Sequence, residues 1–304
     1  MAAATHGLYG KPPPELALAP AGAVQCSPLV AGAAAIESFA DRSLESFTLL
    51  APPGAVERRY VLAQALRALK PGGRLTALAP KDKGGSRLKK ELEAFGCQTA
   101  ETAKRHHRIC MVVRPQAPQG LEAAIAEGAP RLHPKLGLWT QPGVFSWDRL
   151  DPGTALLVKH LPALEGAGAD LGAGIGVLAH AVLASPRVSA LTLVELDARA
   201  VEAARRNVDD PRARIVQADV RGLGETLSGL DFVVMNPPFH DGGREDKALG
   251  QAFIGVAAGA LRKGGTLWLV ANRHLPYEAV LGEAFAQTRL VAEAEGFKVY
   301  EARR

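Results

Sequence analysis

Hydrophobic and polar positions along this chain switch between two periods. Short apolar runs at 46–51 (SFTLLA), 74–79 (RLTALA) and 108–113 (RICMVV) are bounded by turn residues and read as strands. Between them, Val61, Leu62, Ala65, Leu66 and Leu69 recur at helical spacing over 56–69. Lys70-Pro71-Gly72-Gly73 supplies breakers that end this helix, and a shorter one over 87–95 stops at Gly96. The Ala/Gly/Pro-rich stretch before residue 43 reads as irregular. Prolines 115, 118, 130 and 134 frame a linker with a short helix at 121–126, and the domain boundary is placed near 116.

Beyond the linker the two patterns alternate. Strands are expected at 166–171, 190–195, 213–217, 231–235, 265–271 and 297–302, and helices at 154–161, 176–183, 198–208, 248–261 and 278–285. Repeated β–α units imply a largely parallel sheet covered by helices. The first of these strands opens Gly-Ala-Gly-Ala and should be intrinsically weak. A faint repeat links the halves: 65–75 (ALRALKPGGRL) resembles 259–267 (GALRKGGTL), each a helix, a Gly-Gly turn and a strand. It is either chance or the trace of one fold used twice.

Composition sharpens this outline. A length of 304 residues suits two domains, 1–116 and 117–304, each able to bury its own core. Hydrophobic content of 47% with 22% charged residues argues against global disorder. No apolar run reaches the ~18 residues of a membrane span, and Met1-Ala-Ala-Ala-Thr-His lacks the basic start of a secretory signal, so a cytoplasmic location is expected. Cys26, Cys97 and Cys110 form no CxxC pair and read as reduced, buried thiols, with no metal site expected. Charge is uneven: residues 1–150 carry 19 basic and 12 acidic side chains, against 17 and 19 in the remainder. That imbalance suggests an anionic partner docking on the first half.

Three motifs carry chemistry. At 170–176, Asp-Leu-Gly-Ala-Gly-Ile-Gly ends a strand and opens a helix, so its glycines can turn tightly against a ligand facing free N–H groups. Glu195 closes the next strand, where an acid can accept from two ribose hydroxyls. A dinucleotide pattern would need a small residue at 177, where Val177 stands, so Asp170, Gly172, Gly174, Gly176 and Glu195 suit S-adenosylmethionine better. Asp219 follows the third strand and either accepts from an adenine amine or caps the next turn. Third, Asn236-Pro237-Pro238-Phe239-His240 follows the strand 231–235. Consecutive prolines stop the strand and make a rigid shelf. The Asn236 oxygen and the Pro237 carbonyl can accept both protons of an exocyclic amine, aiming its lone pair at a methyl donor, while Phe239 stacks on the base. His240 reads as a loop cap.

These residues carry a family resemblance. Residues 133–304 resemble the bacterial class I methyltransferases that make N2-methylguanosine in ribosomal RNA, in particular those acting on 16S rRNA. The match runs through 142–146 (PGVFS), 150–154 (LDPGT), 170–176, Glu195, 236–242 (NPPFHDG), 270–272 (VAN), 275–277 (LPY) and 296–300 (GFKVY). The resemblance implies an α/β fold: a Rossmann-like seven-stranded class I methyltransferase domain with an antiparallel strand near 297–302, preceded by a smaller, degenerate methyltransferase-like α/β domain that holds RNA. It implies S-adenosylmethionine as cofactor, Asn236, Pro237 and Phe239 at the target base, and segment 142–146 as a lid. Trp139 and Trp147 suit hydrophobic packing at least as well.

The basic half fits an RNA role. Lys81, Lys83, Arg87, Lys89 and Lys90 form one cluster, and Lys104, Arg105, His106, His107 and Arg108 a second. Phosphates favour such patches, though each also reads as a solvated face. The expected partner is rRNA or the small ribosomal subunit, contacted by a monomer. Adenine-N6 methylation uses the same shelf, and a non-catalytic ribosome-assembly factor of the same fold is the non-enzyme alternative. Glutamine methylation and an NAD-dependent oxidoreductase fit less well.

Overall fold

The computed structural model describes residues 5–223, 226–238, 240–241, 244–245 and 247–304, with backbone alone at 240–241, 244–245 and 247. The chain divides into two compact units: Met1–Pro130 with Gln141–Gly143, and Arg131–Thr140 with Val144–Arg304. The cut thus falls after Pro130, not near 116. The helix Leu121–Gly128 belongs to the first core: Ala124 is buried in it and Gly128 closes directly against the Tyr60 side chain. Counted on these units, the first carries 16 basic and 11 acidic residues and the second 20 of each.

The first unit runs β1 (His6–Tyr9), β2 (Val24–Gln25), β3 (Leu44–Leu50), α1 (Ala55–Ala68), β4 (Leu69–Pro80), α2 (Ser86–Ala94), β5 (Thr99–Lys104), β6 (His107–Val113) and α3 (Leu121–Gly128). Its sheet has the order β2-β1-β3-β4-β6-β5. β1 to β4 are parallel, and β6 and β5 are antiparallel additions.

The second unit opens with the small hairpin β7 (Arg131–Leu132) and β8 (Trp139–Thr140). It continues with α4 (Pro152–His160), β9 (Gly166–Leu171), α5 (Val177–Leu183), β10 (Val188–Glu195), α6 (Ala198–Asn207), β11 (Ala213–Gln217) and β12 (Leu230–Met235). After the two-residue strands β13 (His240–Asp241) and β14 (Arg244–Glu245) come α7 (Lys247–Ala260), β15 (Leu261–Asn272), α8 (Tyr277–Ala284), β16 (Gln287–Ala294) and β17 (Phe297–Arg303). Seven strands pair as β11-β10-β9-β12-β15-β17-β16, with β16 and β17 antiparallel.

Without β11, the second sheet has the same order as the first. Even a register slip is shared: Leu44 pairs Leu69 and then Ser46 pairs Arg74, as Leu230 pairs Leu261 and then Phe232 pairs Thr266. Each slip lies at the Gly-Gly turn, with φ of 80° at Gly72 and 81° at Gly264. The faint repeat is therefore a structural one, and the smaller first domain is a reduced copy of the second.

The weak Gly-Ala strand is held by its neighbours. β9 lies between β10 and β12, and a side chain on Gly168 would strike the buried Phe232 ring. Asp231 Oδ2 accepts from the Ala167 N–H at 2.8 Å and Asp231 is paired with Arg262 at 2.6 Å. Composition marks this strand as poor because the packing that needs small residues comes from β12.

The two-residue strands of the small hairpins and, among the described residues of the two large sheets, β1, β2, β5 and β16 escape the periodicity reading. The last two are outermost in their sheets and mostly exposed, so they lack an apolar face to reveal them. Each enters its partner through two left-handed residues, Arg105-His106 and Glu295-Gly296, the twist that tight hairpins favour.

Candidate active site

The site grows from where strands stop. Val194 pairs Leu171 and Val234 pairs Asp170, so Gly172, Glu195 and Asn236 emerge level with one another at the carboxyl edge of the sheet. Ligands of open α/β sheets bind there. Gly172, Gly174 and Gly176 have φ of 76°, 54° and 89°, a left-handed path that other residues resist. A Cβ on Gly172 would lie 3.8 Å from Pro238 Cδ, so the glycine loop touches the proline shelf. Apart from its chain neighbours, no described residue lies within 4 Å of where a Cβ on Gly174 would stand.

Two acids flank this loop. Asp170 is fully buried, and neither of its oxygens has a hydrogen-bond partner among the described residues. Burial, reinforced by the Glu195 charge, pushes its carboxyl up to about 8. Glu195 Oε2 accepts from the Gly174 N–H at 2.9 Å, and Oε1 from the Leu196 and Asp197 N–H groups at 2.7 and 2.8 Å. Burial raises its pKa and those N–H donors oppose the rise. Asp219 caps the turn Val220–Gly222 and is paired with Arg221 at 2.6 Å. The capping reading of Asp219 is thus realised, and an adenine contact would have to share the carboxylate with Arg221.

Asn236 is partly buried beside the buried Pro237. Its Nδ2 donates to Asp151 Oδ2 and to Thr154 Oγ1, both at 2.9 Å. Asp151 also caps α4 by accepting from the Thr154 N–H at 2.7 Å. Asp151 and Thr154 lie inside the 150–154 segment, but nothing in their local sequence gives them a role; only the fold brings them to Asn236. Phe239 lies outside the described residues, and His240 is described only as part of β13.

The aromatic segment splits. Trp139 is stapled to α6: its backbone N–H donates to Asn207 Oδ1 at 2.7 Å, and the Arg206 guanidinium carbon lies 4.6 Å from its ring centre. Trp147 and Trp139 pack against a small core of Val144, Ile175, Ala200 and Ala203. Packing therefore accounts for both tryptophans. Phe145 is 60% exposed.

The first unit carries a counterpart of the shelf. Where Asn236-Pro237-Pro238 follows β12, Ala51-Pro52-Pro53 follows β3. Here the carbonyls of Pro52 and Pro53 accept from Arg58 Nη1 at 3.2 and 2.7 Å. Arg58 is 1% exposed and forks onto Glu91 with two 2.7 Å bonds. No asparagine stands at the first position, and the shelf is filled by the protein itself.

The basic clusters lie in the first unit. Lys81 and the hairpin residues Lys104, Arg105, His106, His107 and Arg108 line a surface cleft of ≈ 280 Å³. Several of these charges already have partners: Arg105 with Glu15 at 2.6 Å, Arg108 with Glu101 at 3.9 Å and Lys89 with Glu93 at 3.8 Å. Lys81, Arg87 and Lys90 are exposed and make no ion pair among the described residues, while Lys83 is half-buried. Cys26, Cys97 and Cys110 are buried, and burial pushes their thiols up to about 12, 11 and 12.

Comparison with known proteins agrees with this geometry. The Methyltransferase small domain family matches residues 135–301. Ribosomal RNA small subunit methyltransferase C of Pseudomonas paraeruginosa is 37% identical over 251 residues, covering 81% of this chain and 75% of that protein. Its Pseudomonas putida namesake is 32% identical over 276 residues, covering 87% and 80%. Among solved structures, the T. thermophilus 16S rRNA N2 G1207 methyltransferase, in complex with AdoMet and guanosine, superposes with a TM-score of 0.79 at 26% identity. That match covers 99% of this chain and 88% of the other, so both units take part. With the glycine loop, the acid at the end of the second strand and the Asn-Pro-Pro shelf at one sheet edge, this chain belongs to the bacterial rRNA guanine-N2 methyltransferase family.

Proposed function

We propose that this protein transfers a methyl group from S-adenosylmethionine to the exocyclic N2 amine of a guanine in 16S rRNA. The observation that carries the reading is the shelf. Asn236 Oδ1 accepts from none of the described residues, beside Pro237 and level with Gly172 and Glu195.

The residues present fit the cofactor. Asp170 is a buried carboxyl in want of a donor, and the space beside Gly174 is open. Gly172, Gly174 and Gly176 would let the backbone approach the cofactor, with Asp170, Glu195 and Asp219 as its polar partners. When bound, S-adenosylmethionine supplies an electrophilic methyl on a sulfonium. The chain's part is positioning. Oxygens of Asn236 and Pro237 accept the amine protons and draw the nitrogen toward a tetrahedral shape, turning its lone pair outward. Phe239 is assigned to stack on the base. The N-methylated product is acidic enough to lose its extra proton without a dedicated base.

The first unit supports this chemistry from within. Its own proline shelf accepts N–H donors from a planar, delocalised nitrogen group, the Arg58 guanidinium. We assign Lys81, Lys83, Arg87, Lys89, Lys90, Arg105 and Arg108 to holding RNA phosphates, with residues up to about 116, and the α3 segment after them, forming a unit that binds no cofactor of its own. The working enzyme is read as a cytoplasmic monomer.

The test has two arms. Calorimetric titration with S-adenosylmethionine should show binding that Glu195→Ala weakens; no binding, or indifference to the substitution, removes the cofactor assignment. Incubation with small ribosomal subunits and nucleoside mass spectrometry should then reveal N2-methylguanosine. N6-methyladenosine would select the adenine reading instead, and no methylated product at all would point to the assembly factor.

A further inference from the structure

We propose that Asp151 and Thr154 are positioning residues that lock the Asn236 amide so that it can act only as a hydrogen-bond acceptor. The proposal deepens the reading above and rests on it. A primary amide offers two N–H donors at one end and an oxygen at the other, and its two orientations have the same shape. Only one orientation serves an amine substrate: the reverse would aim N–H groups at N–H groups.

The geometry selects between them. Asp151 Oδ2 and Thr154 Oγ1 each lie 2.9 Å from Asn236 Nδ2, so both amide protons are used. A carboxylate accepts and never donates, which forbids the flipped amide at that point. The lock is itself anchored. The same Asp151 oxygen accepts from the Thr154 N–H at 2.7 Å as the cap of α4, with Pro152 setting the first turn. Phe297 closes the other side: a Cβ on Gly153 would lie 2.7 Å from its ring and 3.1 Å from Asp151 Oδ2. Thr154 is buried at 7% exposure. A helix start more than eighty residues earlier in the chain therefore fixes which end of Asn236 faces the substrate. The shelf is thereby selective for groups that donate, and a carbonyl oxygen placed there meets a second lone pair.

The test uses the full-length protein with small ribosomal subunits and S-adenosylmethionine. Thr154→Val keeps shape and removes the acceptor; Thr154→Ser restores it; Asp151→Ser keeps a capping oxygen for α4 but falls short of the amide. Single-turnover transfer should slow about tenfold or more in Thr154→Val and Asp151→Ser. It should recover in Thr154→Ser, with S-adenosylmethionine affinity and melting temperature close to wild type. The Asn236 side-chain N–H₂ signals in ¹H–¹⁵N spectra, identified by their loss in Asn236→Ala, should shift in both slow variants. Wild-type rates in Thr154→Val and Asp151→Ser beside an inactive Asn236→Ala would overturn the positioning role alone. Full activity in Asn236→Ala would instead overturn the acceptor reading, and this proposal with it.

Discussion

The two sheets share an order, a register slip and a pair of prolines after the same strand, yet one shelf keeps an acceptor unused among the described residues and the other is filled by Arg58. In the second unit the shelf begins with Asn236 and its amide oxygen is left to accept. In the first it begins with Ala51, and buried Arg58 occupies both proline carbonyls while gripping Glu91. Among its described residues the first unit has no counterpart of β11, and Leu8 precedes the left-handed Gly10 by two residues as Asp170 precedes Gly172. One fold can thus spend its strand-end polar groups on a ligand or on itself. The first choice leaves an acceptor unspent, and the second buries an arginine among the unit's own oxygens.

Four experiments press on this contrast. The largest effect is expected from Arg58→Ala, which leaves Glu91 and two carbonyls without their partner; stability to urea should fall by about 3–5 kcal/mol. A loss below ~1 kcal/mol would mean the closed shelf is not structural. Next, Asn236→Ala should slow methyl transfer on the order of 10²–10³-fold, as loss of one preorganised polar partner commonly does. Its stability should hardly change, the reverse of Arg58→Ala.

The third concerns Asp170. Its carboxyl is raised to about 8 in the folded protein, so between the ordinary carboxylate range and pH 8 the folded state binds more protons than the unfolded. Stability then falls as pH rises through that window, with a slope approaching ~1.4 kcal/mol per pH unit. Asp170→Asn should abolish cofactor binding yet melt progressively higher than wild type from pH 4 to 8. A pH-independent difference would contradict the buried, unpartnered acid. Smallest is the effect of surface charge. Replacing Lys81, Arg87 and Lys90 by alanine should weaken rRNA binding and lower its salt slope by roughly 0.7–0.9 for each phosphate no longer neutralised. The set Lys89, Arg105 and Arg108 should matter less, because acids already face those charges. Cofactor affinity should be unchanged in both, and a change would tie the basic unit to the cofactor site.

Much of the site is legible in the residues. Glycine spacing at 172–176, an acid ending the next strand and Asn-Pro-Pro after the fourth are local patterns with local causes, and the strands that carry them are buried and apolar. β5 and β16 are less legible because edge strands bury little. Cutting the chain near 116 misses α3, since proline spacing is visible in the sequence and the packing of Gly128 on Tyr60 is not.

The buried strands and their helices, the glycine loop and the proline shelf are written along the chain, because each rests on neighbours within a few residues. Which groups those motifs meet is settled only by folding. Asp151 reaches Asn236 across 85 positions, and Arg58 fills a shelf whose three residues differ from Asn236-Pro237-Pro238 only at the first. Hydrogen-bond partners far apart along the chain are set by how the sheet brings strand ends together, and no local pattern records that.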